Sequence, residues 1–558
     1  MISPRSVVSG PFSSMPPRLT ELTSRQSGGF LWAGLALAFV AGCVTYEPKP
    51  LVPEQSAAAF QERSLDTAEL RKFIEERLGR TLPLWPLKQQ QPGIINQNQA
   101  WNAELLTLAA YFFHPSLDFA RARWRAAEAA EISAGARPNP TVSLRSGYNL
   151  SATPGVTPWI PGAQFDLPIE TAGKRGLRIA KARQTTETAR LELHTAAWKV
   201  RADLRDALNR YYFAHDQVYL LDVRMGVQHR LVGKLESRLE VGAIAISDVL
   251  PAKLALQKTK LESSLAAEAQ ATSAARAAEA IGISTCEFEL AKVPHWFSPG
   301  AIDNALIDLR RRTLGFNPRP GEVMKYQTDR LPATVLTSLA VSLHINLPAL
   351  TNEVLSVTRT QAVKSRPDIR GALADYEAAQ LALHLEIAKQ YPDIHLGSGY
   401  QWDQGQSKWS FLNLAAELPV LNRNQGGIAE AKARREAAAA QVVATQARVF
   451  AETDIAAIAY ERARSRFFST LSFFETQSRQ TETLAAMVKA GAADEFDRLS
   501  AELDRVNAFL LVIEARHQAE GALGRLEDAL QTPLNLRMSA PLPGDFIQTK
   551  PRAEMERP

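Results

Sequence analysis

Four stretches of the chain alternate between apolar and polar residues, which is the pattern of β-strands with two different faces. They cover 141–150, 163–169, 393–403 and 412–420. In the first stretch Val142, Leu144 and Tyr148 lie on one face, and Arg145 lies on the other. About ten alternating residues are the length of a tilted transmembrane strand. The pattern therefore predicts two hairpins, either in a membrane or in a small soluble sheet with one wet face.

Each predicted hairpin has one irregular feature. Pro158, Pro161 and Gly162 precede the second strand, and we interpret them as the loop of the first hairpin. In the second hairpin Trp409 and Phe411 break the alternation of the residues that follow. We expect these two aromatic residues in a membrane-interface girdle or in a loop.

Much longer segments lack proline and are rich in Ala, Leu, Arg and Glu, which predicts helices over about 174–240 and 427–490. At 1.5 Å per residue each helix would be about 100 Å long, too long for a globular core to cover. A shorter helix precedes each hairpin, at 117–135 and at 369–389. Each long helix ends in a glycine-containing turn and returns in a second helix, which is typical of coiled coils.

The same order of elements recurs because the chain contains an internal duplication. The matching residues are Pro140 and Pro392, Gly147-Tyr148 and Gly399-Tyr400, Leu167-Pro168 and Leu418-Pro419, and Gly242-Ala243 and Gly491-Ala492. Their separation is 252 residues for the first two pairs, 251 for the third and 249 for the last. Such a small drift predicts two copies, at about 115–283 and 367–532.

Composition and charge narrow the possible classes of protein. With 46% hydrophobic and 22% charged residues, the chain of 558 residues is unlike a disordered protein. A mean hydropathy of −0.17 and a single strongly apolar run exclude a polytopic helical membrane protein. The net charge of +5 is small and no Lys/Arg block occurs, so we expect no nucleic-acid partner. The two cysteines provide no disulfide framework, and we expect Cys286 to be buried.

Motifs that carry catalysis or bind cofactors do not stand out in the sequence. The nine histidines are scattered, without HExxH, and no P-loop, GxGxxG or GxSxG is found. The seven methionines do not cluster as a copper relay would. We therefore expect no enzymatic activity, no cofactor and no metal site in this chain.

The N-terminus has the layout of a secretory signal. An apolar run of 11 residues, Phe30–Val40, follows a basic flank and is too short to span a bilayer. It leads into Val-Ala-Gly-Cys43, which resembles a bacterial lipobox. The resemblance implies a signal peptide at 1–42, acylation of Cys43 and, because Val44 follows, delivery to the outer membrane. Met15 is an alternative start of the signal.

The lipoprotein signal favours a membrane barrel over a soluble sheet for the predicted hairpins. A sheet edge with unpaired backbone groups is not tolerated in lipid, and four strands are too few to close a barrel. Closure needs about eight strands, so several copies of the chain must contribute. Two copies would give a filled barrel of eight strands and three a barrel of twelve strands with a lumen; the strand count leaves both open.

Particular motifs resemble those of a known family. The order of helix, hairpin, long helix, turn and helix, repeated behind a lipobox, is similar to that of TolC-type outer-membrane efflux proteins. Within that family, LPIETAGKR at 167–175 resembles the heavy-metal, CzcC-like branch. The stretches at 418–426 and 137–140 resemble its second-copy counterpart and the segment before the first strand. The resemblance covers nearly all of 60–535.

The resemblance implies a mainly α-helical fold with a transmembrane β-barrel. Three copies would form a twelve-stranded barrel in the outer membrane, continued by a long α-helical coiled-coil barrel through the periplasm. The homotrimer would be the passive exit duct of a tripartite pump, with a periplasmic membrane-fusion adaptor and an inner-membrane transporter of the RND type. The exported compounds would be heavy-metal cations or small toxic compounds.

The resemblance also suggests where functional residues lie. The turns after the long helices would form the far periplasmic tip, with adaptor contacts at Val241, Gly242, Ala243, Gly491 and Ala492. Rings of carboxylates at the tip would favour cations, and the candidates are Asp248, Asp494 and Asp497. Asp248 and Asp497 are equally well explained as acidic residues that cap or complement the start of the next helix. Candidates facing the barrel lumen are Arg145, Asp166, Asp393 and Glu417.

These expectations divide the chain into six parts. They are 1–42 signal peptide, 43–114 lipidated N-terminal segment, 115–283 first repeat, 284–366 equatorial or linker region, 367–532 second repeat and 533–558 polar tail. A different class of protein remains open, namely a lipid-anchored periplasmic coiled-coil scaffold or adaptor with a soluble hairpin sheet. Within the same class, a duct for drugs or secreted polypeptides also remains open.

Overall fold

The computed structural model describes residues 46–79, 101–152, 154–290, 347–350, 352–532 and 534. The predicted signal peptide, Cys43, most of the predicted equatorial region and almost all of the C-terminal tail lie outside these residues. The chain divides into two units, 1–59 and 60–558, and all interactions described below lie within the second.

Helices and strands follow one another in a repeated order. The helices are α1 (Pro53–Gln61), α2 (Ala68–Leu78), α3 (Ala103–Phe113), α4 (Pro115–Ala134), α5 (Lys174–Glu240), α6 (Ile246–Ile281), α7 (Thr285–Leu290), α8 (Asn352–Ser365), α9 (Pro367–Ala388), α10 (Gln425–Lys489) and α11 (Glu495–Leu530). The strands are β1 (Thr141–Tyr148), β2 (Trp159–Ile169), β3 (Ile394–Asp403) and β4 (Gln406–Ala416). The order α4-β1-β2-α5-α6 therefore recurs as α9-β3-β4-α10-α11.

The strands form one antiparallel sheet in the order β1-β2-β3-β4. The two hairpins are joined side by side, because β2 of the first pairs with β3 of the second from Gly162 to Ile169. β1 and β4 form the edges of the sheet. The ends of each hairpin feed into a short helix on one side and a long helix on the other.

β2 begins earlier than the sequence pattern predicts. The strand starts at Trp159, so Pro161 and Gly162 belong to it and the loop interpretation of these two residues is wrong. Pro161 lies opposite Ser146 of β1, but the pairing of β2 with β3 extends only as far as Gly162. Pro161 thus has a strand on one side only, where its missing N–H is tolerated.

A β-bulge explains why the aromatic residues of β4 break the alternation. The pairing register between β3 and β4 shifts between Gly397 and Gly399, so that β4 contains one extra residue at this point. The extra residue reverses the side-chain parity, and Trp409 comes to lie opposite Tyr400. Trp409 therefore belongs to the sheet rather than to a loop.

The long helices pair as two hairpins, α5 with α6 and α10 with α11, and the hairpins meet where α11 packs on α5. α5 has 67 residues, which corresponds to a length of about 100 Å. Ion pairs join the hairpins in the buried interface. Arg205 Nη1 lies 2.9 Å from Glu527 Oε2, and its other nitrogen donates to the Gly524 carbonyl at 2.7 Å. Burial raises the pKa of the adjacent Asp528, although Arg205 opposes this change.

The segment before the first repeat packs against the end of the α5–α6 hairpin. Arg63 donates from Nη1 to the carbonyl oxygens of Phe113 at 2.8 Å and of Gly282 at 2.9 Å. Glu287 accepts the backbone N–H of Leu65 at 2.7 Å. Cys286 is exposed, so the expectation that it is buried is wrong; its neighbours on α7 turn toward the core instead.

Candidate functional site

One face of the sheet is apolar and exposed in the single chain. Cross-strand pairs on this face are Val142 with Phe165, Leu144 with Ala163, Leu167 with Leu396 and Ile169 with Ile394. Leu144 is 82% exposed, and Leu414 on the edge strand is 63% exposed. Such a continuous apolar surface is unfavourable in water but suits contact with hydrocarbon.

Aromatic pairs lie at the hairpin ends of this face. Tyr148 and Trp159 meet edge to face with ring centroids 5.2 Å apart, and Tyr400 and Trp409 lie 4.7 Å apart. The two pairs occupy equivalent positions in the two hairpins. The first is the last pair before the connection between β1 and β2, and the second lies three pairs before the connection between β3 and β4. Aromatic residues at one end of an apolar band are typical of a membrane–water interface.

The opposite face of the sheet is polar. Arg145 and Asp166 both lie on it, because Arg145 pairs with Gly162 and Asp166 pairs with Thr141 in the ladder. Asp166 Oδ2 lies 2.9 Å from His395 Nδ1 on the neighbouring strand. The polar face also carries Gly397 and Gly399, and a Cβ at Gly397 would lie only 3.0 Å from the Phe165 carbonyl oxygen.

Asp393 and Glu417 lie next to the strands rather than within them. Asp393 precedes β3 and holds the junction between β2 and α5: its Oδ1 accepts from Lys174 Nζ at 2.8 Å and from the Thr171 N–H at 2.9 Å. Lys174 also donates to the carbonyl of Tyr391 at 2.7 Å. Glu417 follows the last residue of β4 and is exposed.

The junction of the second hairpin with α10 is built differently. Asn424 has a positive φ of 58° and donates from Nδ2 to the Glu386 carboxylate at 2.8 Å. The hydrogen bond from Lys389, and next that from Asn424, lowers the pKa of Glu386. The turns that precede α5 and α10 are therefore held by different sets of hydrogen bonds.

The far ends of the two helical hairpins have the same turn. Gly242 and Gly491 have φ angles of 71° and 72°, in the left-handed region that favours glycine. The N–H of the next residue, Ala243 or Ala492, donates at 2.9 Å to the carbonyl five residues earlier, that of Arg238 or Met487, and this bond ends each long helix. Val241 is 78% exposed beside the first of these turns.

The candidate aperture carboxylates occupy two kinds of position. Asp248 and Asp497 are both the third residue of the helix that follows the turn, and both are exposed. Asp248 accepts the N–H of Ala245 at 3.1 Å, so it caps α6. Asp494 is the residue immediately before α11, and its carboxylate pairs with Arg238 near the end of α5.

Sequence reasoning did not identify a group of charged residues at the tip. Arg238 lies over the Phe496 ring, 5.5 Å from its centroid, and thereby links the first hairpin to the second turn. Arg498 Nη2 lies 2.6 Å from Glu495 Oε1, and the hydrogen bond lowers the pKa of that carboxyl group. On α11, arginines three or four residues away from acidic residues indicate ion pairs within that helix. The contact with Arg238 of α5 becomes apparent only from the fold.

Neither a metal site nor a helical membrane span is found in the part of the chain that the structure describes. No three His, Cys, Asp or Glu side chains there gather closely enough to hold a metal ion. Among the same residues, no helix is both long and apolar enough to cross a bilayer.

Comparison with known proteins identifies similar sequences. Residues 113–283 match the family described as "Outer membrane efflux protein". Over 270 residues, or 48% of the chain, the sequence is 23% identical to the cobalt-zinc-cadmium resistance protein CzcC of Cupriavidus metallidurans. The chain spans about half the length of this curated relative, since the match covers 51% of it.

Solved structures extend the similarity to most of the fold. The outer membrane protein VceC of Vibrio cholerae has a TM-score of 0.56 and 18% identity, covering 77% of this chain and 96% of VceC. CusC, whose structure is described in terms of transmembrane channel formation, has a TM-score of 0.55 and 15% identity and is covered to 97%. Similarity at this level of identity shows a shared fold. Residues 113–283 therefore match the outer membrane efflux family and the described chain has the fold of outer-membrane channels, which confirms the resemblance found in the sequence motifs.

Proposed function

We propose that this chain is the outer-membrane component of a tripartite efflux system and forms a passive export duct. The duct crosses the outer membrane as a barrel and continues into the periplasm as a tunnel of helices. It catalyses no reaction, and the direction of transport comes from an energised inner-membrane partner.

One observation carries this proposal: an apolar sheet with two open edges continues directly into helical hairpins about 100 Å long. The open edges require further strands in lipid, and four strands per chain are too few for closure. Three copies supply twelve strands, which is enough for a lumen lined by the polar face that carries Arg145 and Asp166. We therefore propose a homotrimer.

Exposed leucines near the tip support assembly of the helices as well. Leu250, Leu254, Leu261 and Leu265 fall on one face of α6, and each is more than half exposed in the single chain. The opposite face of α6 packs on α5. An uncovered stripe of about 25 Å in length is unfavourable in water, so we propose that neighbouring copies cover it.

The tip is the proposed contact for a periplasmic membrane-fusion adaptor. Val241, Gly242 and Ala243 are exposed in the first turn, and Gly491 and Ala492 are exposed in the second. The paired turns present backbone and small side chains at the same end of the molecule, where a helical partner can approach closely. The inner-membrane partner would be a transporter of the RND type.

Heavy-metal cations are the proposed substrate class. The supporting observations are the motif resemblance at 167–175 and the similarity to a relative named for cobalt, zinc and cadmium resistance. Exposed carboxylates at the tip, Asp248 and Asp497, would favour cations over anions if three copies arrange them in rings. We further propose that Cys43, which lies outside the described residues, is lipidated.

Conductance in planar bilayers tests the duct directly. The purified, detergent-solubilised protein should produce discrete single-channel steps, whereas protein denatured before addition serves as the control. A water-soluble monomer without conductance would instead support the lipid-anchored coiled-coil scaffold.

The substrate class is tested separately: a deletion strain should become sensitive to cobalt, zinc or cadmium, and sensitivity to drugs alone would refute the metal assignment.

A further inference from the structure

The edge strands of the sheet contain apolar residues that the described part of the chain leaves uncovered. Val142 and Leu144 on β1 are 69% and 82% exposed, and Leu418 and Val420 just beyond β4 are 72% and 71% exposed. β4 ends at Ala416 because β3 begins opposite that residue, at Ile394. Among the described residues of the same copy, those beyond 416 therefore have no partner strand.

The internal duplication supplies a template for the missing partner. The contact between β2 and β3 joins the second strand of one hairpin to the first strand of the next. Between copies, β4 and β1 would stand in the same relationship. Matching residues in the second strands are 251 apart (Leu167-Pro168 and Leu418-Pro419), and those in the first strands are 252 apart (Gly147-Tyr148 and Gly399-Tyr400).

We propose that β4 extends to Val420 by pairing with β1 of a neighbouring copy, in the register that the β2–β3 contact dictates. The observed pairing of Asp166 with Gly397 becomes Glu417 opposite Arg145 of the next copy. The pairing of Leu167 with Leu396 likewise becomes Leu418 opposite Leu144. This inference rests on the proposed assembly of identical copies and adds the register and the contact residues.

The side chains fit this register on both faces. On the apolar face, Leu418 meets Leu144, and two residues further on Val420 meets Val142. On the polar face, Glu417 meets Arg145 with opposite charge, which stabilises a cross-strand pair. A slip of one residue would turn Glu417 to the apolar face.

A slip of two residues preserves the faces but loses the charge pair. Glu417 would then lie opposite Ser143 or Gly147, and Arg145 would lie opposite Ala415 or Pro419. The positions of Arg145 and Glu417 in the sequence are therefore informative: only the register derived from the duplication brings these two charges together. Glu417 lies just outside β4 in a single copy, and in the proposed assembly it becomes part of the sheet.

The same template also applies to the junction with the long helix. Within one copy, the Thr171 hydroxyl donates to the Pro392 carbonyl, and Lys174 donates to the Tyr391 carbonyl at 2.7 Å. Residues 251 positions later are Asn422 and Gln425. Both keep a side-chain N–H donor, directed in this template at the carbonyls of residues 140 and 139 of the next copy.

The side-chain amides of Asn422 and Gln425 can donate to a neighbouring copy, because their oxygens already accept hydrogen bonds within the turn. The Asn422 Oδ1 accepts the N–H of Asn424 at 2.9 Å, and the Gln425 Oε1 accepts the N–H of Arg423 at 3.2 Å. Their oxygens are thus engaged within the turn, and their NH₂ groups are the atoms available for a second copy. The junction is therefore compatible with the alignment of neighbouring copies that the strand register gives.

Paired cysteines test the register in the full-length membrane protein. In a Cys286→Ser background, Leu144→Cys with Leu418→Cys should cross-link copies on oxidation and give covalent trimers on a non-reducing gel. Leu144→Cys with Ala416→Cys, and Leu144→Cys with Val420→Cys, share the same face but represent two-residue slips. They should cross-link at least about tenfold less.

An intramolecular pair serves as the matched control. Leu167→Cys with Leu396→Cys joins residues that already pair within one copy, so it should oxidise without raising the apparent mass. Charge exchange gives a second readout: Glu417→Arg and Arg145→Glu should each reduce the heat resistance of the trimer, and their combination should restore it.

The outcomes separate this inference from the proposed function. Trimers that cross-link through 416 or 420, or through none of the three pairs, would overturn the register and leave the duct intact. A failure of the combined charge exchange to restore heat resistance would also count against the Glu417–Arg145 pair. A protein that is monomeric in detergent and never cross-links between copies would refute the assembly itself.

Discussion

At the residue scale, the tip carboxylates have a local role in the single chain and, in the proposed assembly, a collective one. Asp248 caps the start of α6 through the Ala245 N–H, and Asp497 occupies the equivalent helical position of α11. Both side chains remain exposed in the single chain. Because these side chains stay exposed, a capping role does not prevent a contribution to a ring in the proposed assembly.

Replacement by asparagine separates these roles. Asp248→Asn with Asp497→Asn retains a side-chain acceptor for the cap but removes six charges from a trimer, so cation selectivity should fall by roughly a factor of two or more. The reversal potential in a salt gradient measures this change. Asp248→Ala with Asp497→Ala removes both roles and is expected to raise conductance as well. An unchanged reversal potential in the asparagine variant would leave capping as the sole role.

The contact of Arg238 with Asp494 and Phe496 holds the two tip turns of one copy together. Arg238→Ala should release the second turn from α5 and increase the open-channel conductance, because no other cation is seen to bridge Asp494 in the described residues. Single-channel recording provides the measurement. Lys260→Ala, at an exposed position on α6 away from the turn, is the control and should conduct like the unmodified protein.

At the element scale, glycines with positive φ differ in how tightly they are packed. Gly242 at the tip has open space around its Cα, whereas a Cβ at Gly282, the residue that ends α6, would lie 2.9 Å from the Phe113 carbonyl oxygen. Both have positive φ, at 71° and 88°. Gly282 therefore allows both the turn and the close approach of α6 to the end of α3.

Alanine substitutions should reveal this difference. Gly242→Ala should destabilise the fold by about 1–2 kcal/mol through left-handed strain. Gly282→Ala adds an overlap that costs about 1–3 kcal/mol more. Thermal unfolding followed by circular dichroism compares the two variants, and equal shifts of the midpoint would contradict the packing argument.

The junction between β2 and α5 depends on Lys174, which is largely buried and bonded to Asp393 and the Tyr391 carbonyl. Lys174→Met keeps the volume but leaves both acceptors without this donor, which should cost about 1–3 kcal/mol. Denaturant unfolding of the detergent-solubilised protein measures the loss. Lys199→Met, at an exposed position of α5, is the control, and an equal effect of both variants would show that the junction is not important.

Sequence patterns predicted some elements well, for clear physical reasons. The predicted α5 coincides with Lys174–Glu240, since proline-free helical sequence ends at glycine on both sides. β2 was predicted too short because Pro161 and Gly162 indicate a loop in isolation; only the sheet reveals that Pro161 has a single neighbouring strand. The bulge in β4 was visible only as a break in alternation at Trp409.

Sequence patterns did not predict the contacts between elements that are distant in the chain. The sequence predicts α5 and a second helix after each tip turn, but not that α5 and α11 pack on each other. The Arg205–Glu527 ion pair and the Arg238–Asp494 pair were therefore not foreseen. α2 and α3 were likewise not predicted, although α3 is almost entirely buried against α5 and α6. Its side chains are apolar all round and show no single-face periodicity.

At the scale of the whole molecule, the single chain is incomplete. It exposes apolar strand faces, leucines along α6 and two sheet edges, and each of these features is unfavourable without further copies of the chain. The duplication explains how one chain can provide two matching hairpins, so that three copies supply six nearly equivalent units around one axis. In the proposed trimer, assembly therefore completes the fold and creates the duct at the same time.

Counting the chains in the detergent-solubilised particle tests this account most directly, and native mass spectrometry provides the count. We expect particles that contain three chains, with no stable population of single chains in the same detergent. A particle that contains one chain and remains folded would contradict it, because four strands would then have to exist in a membrane with both edges open.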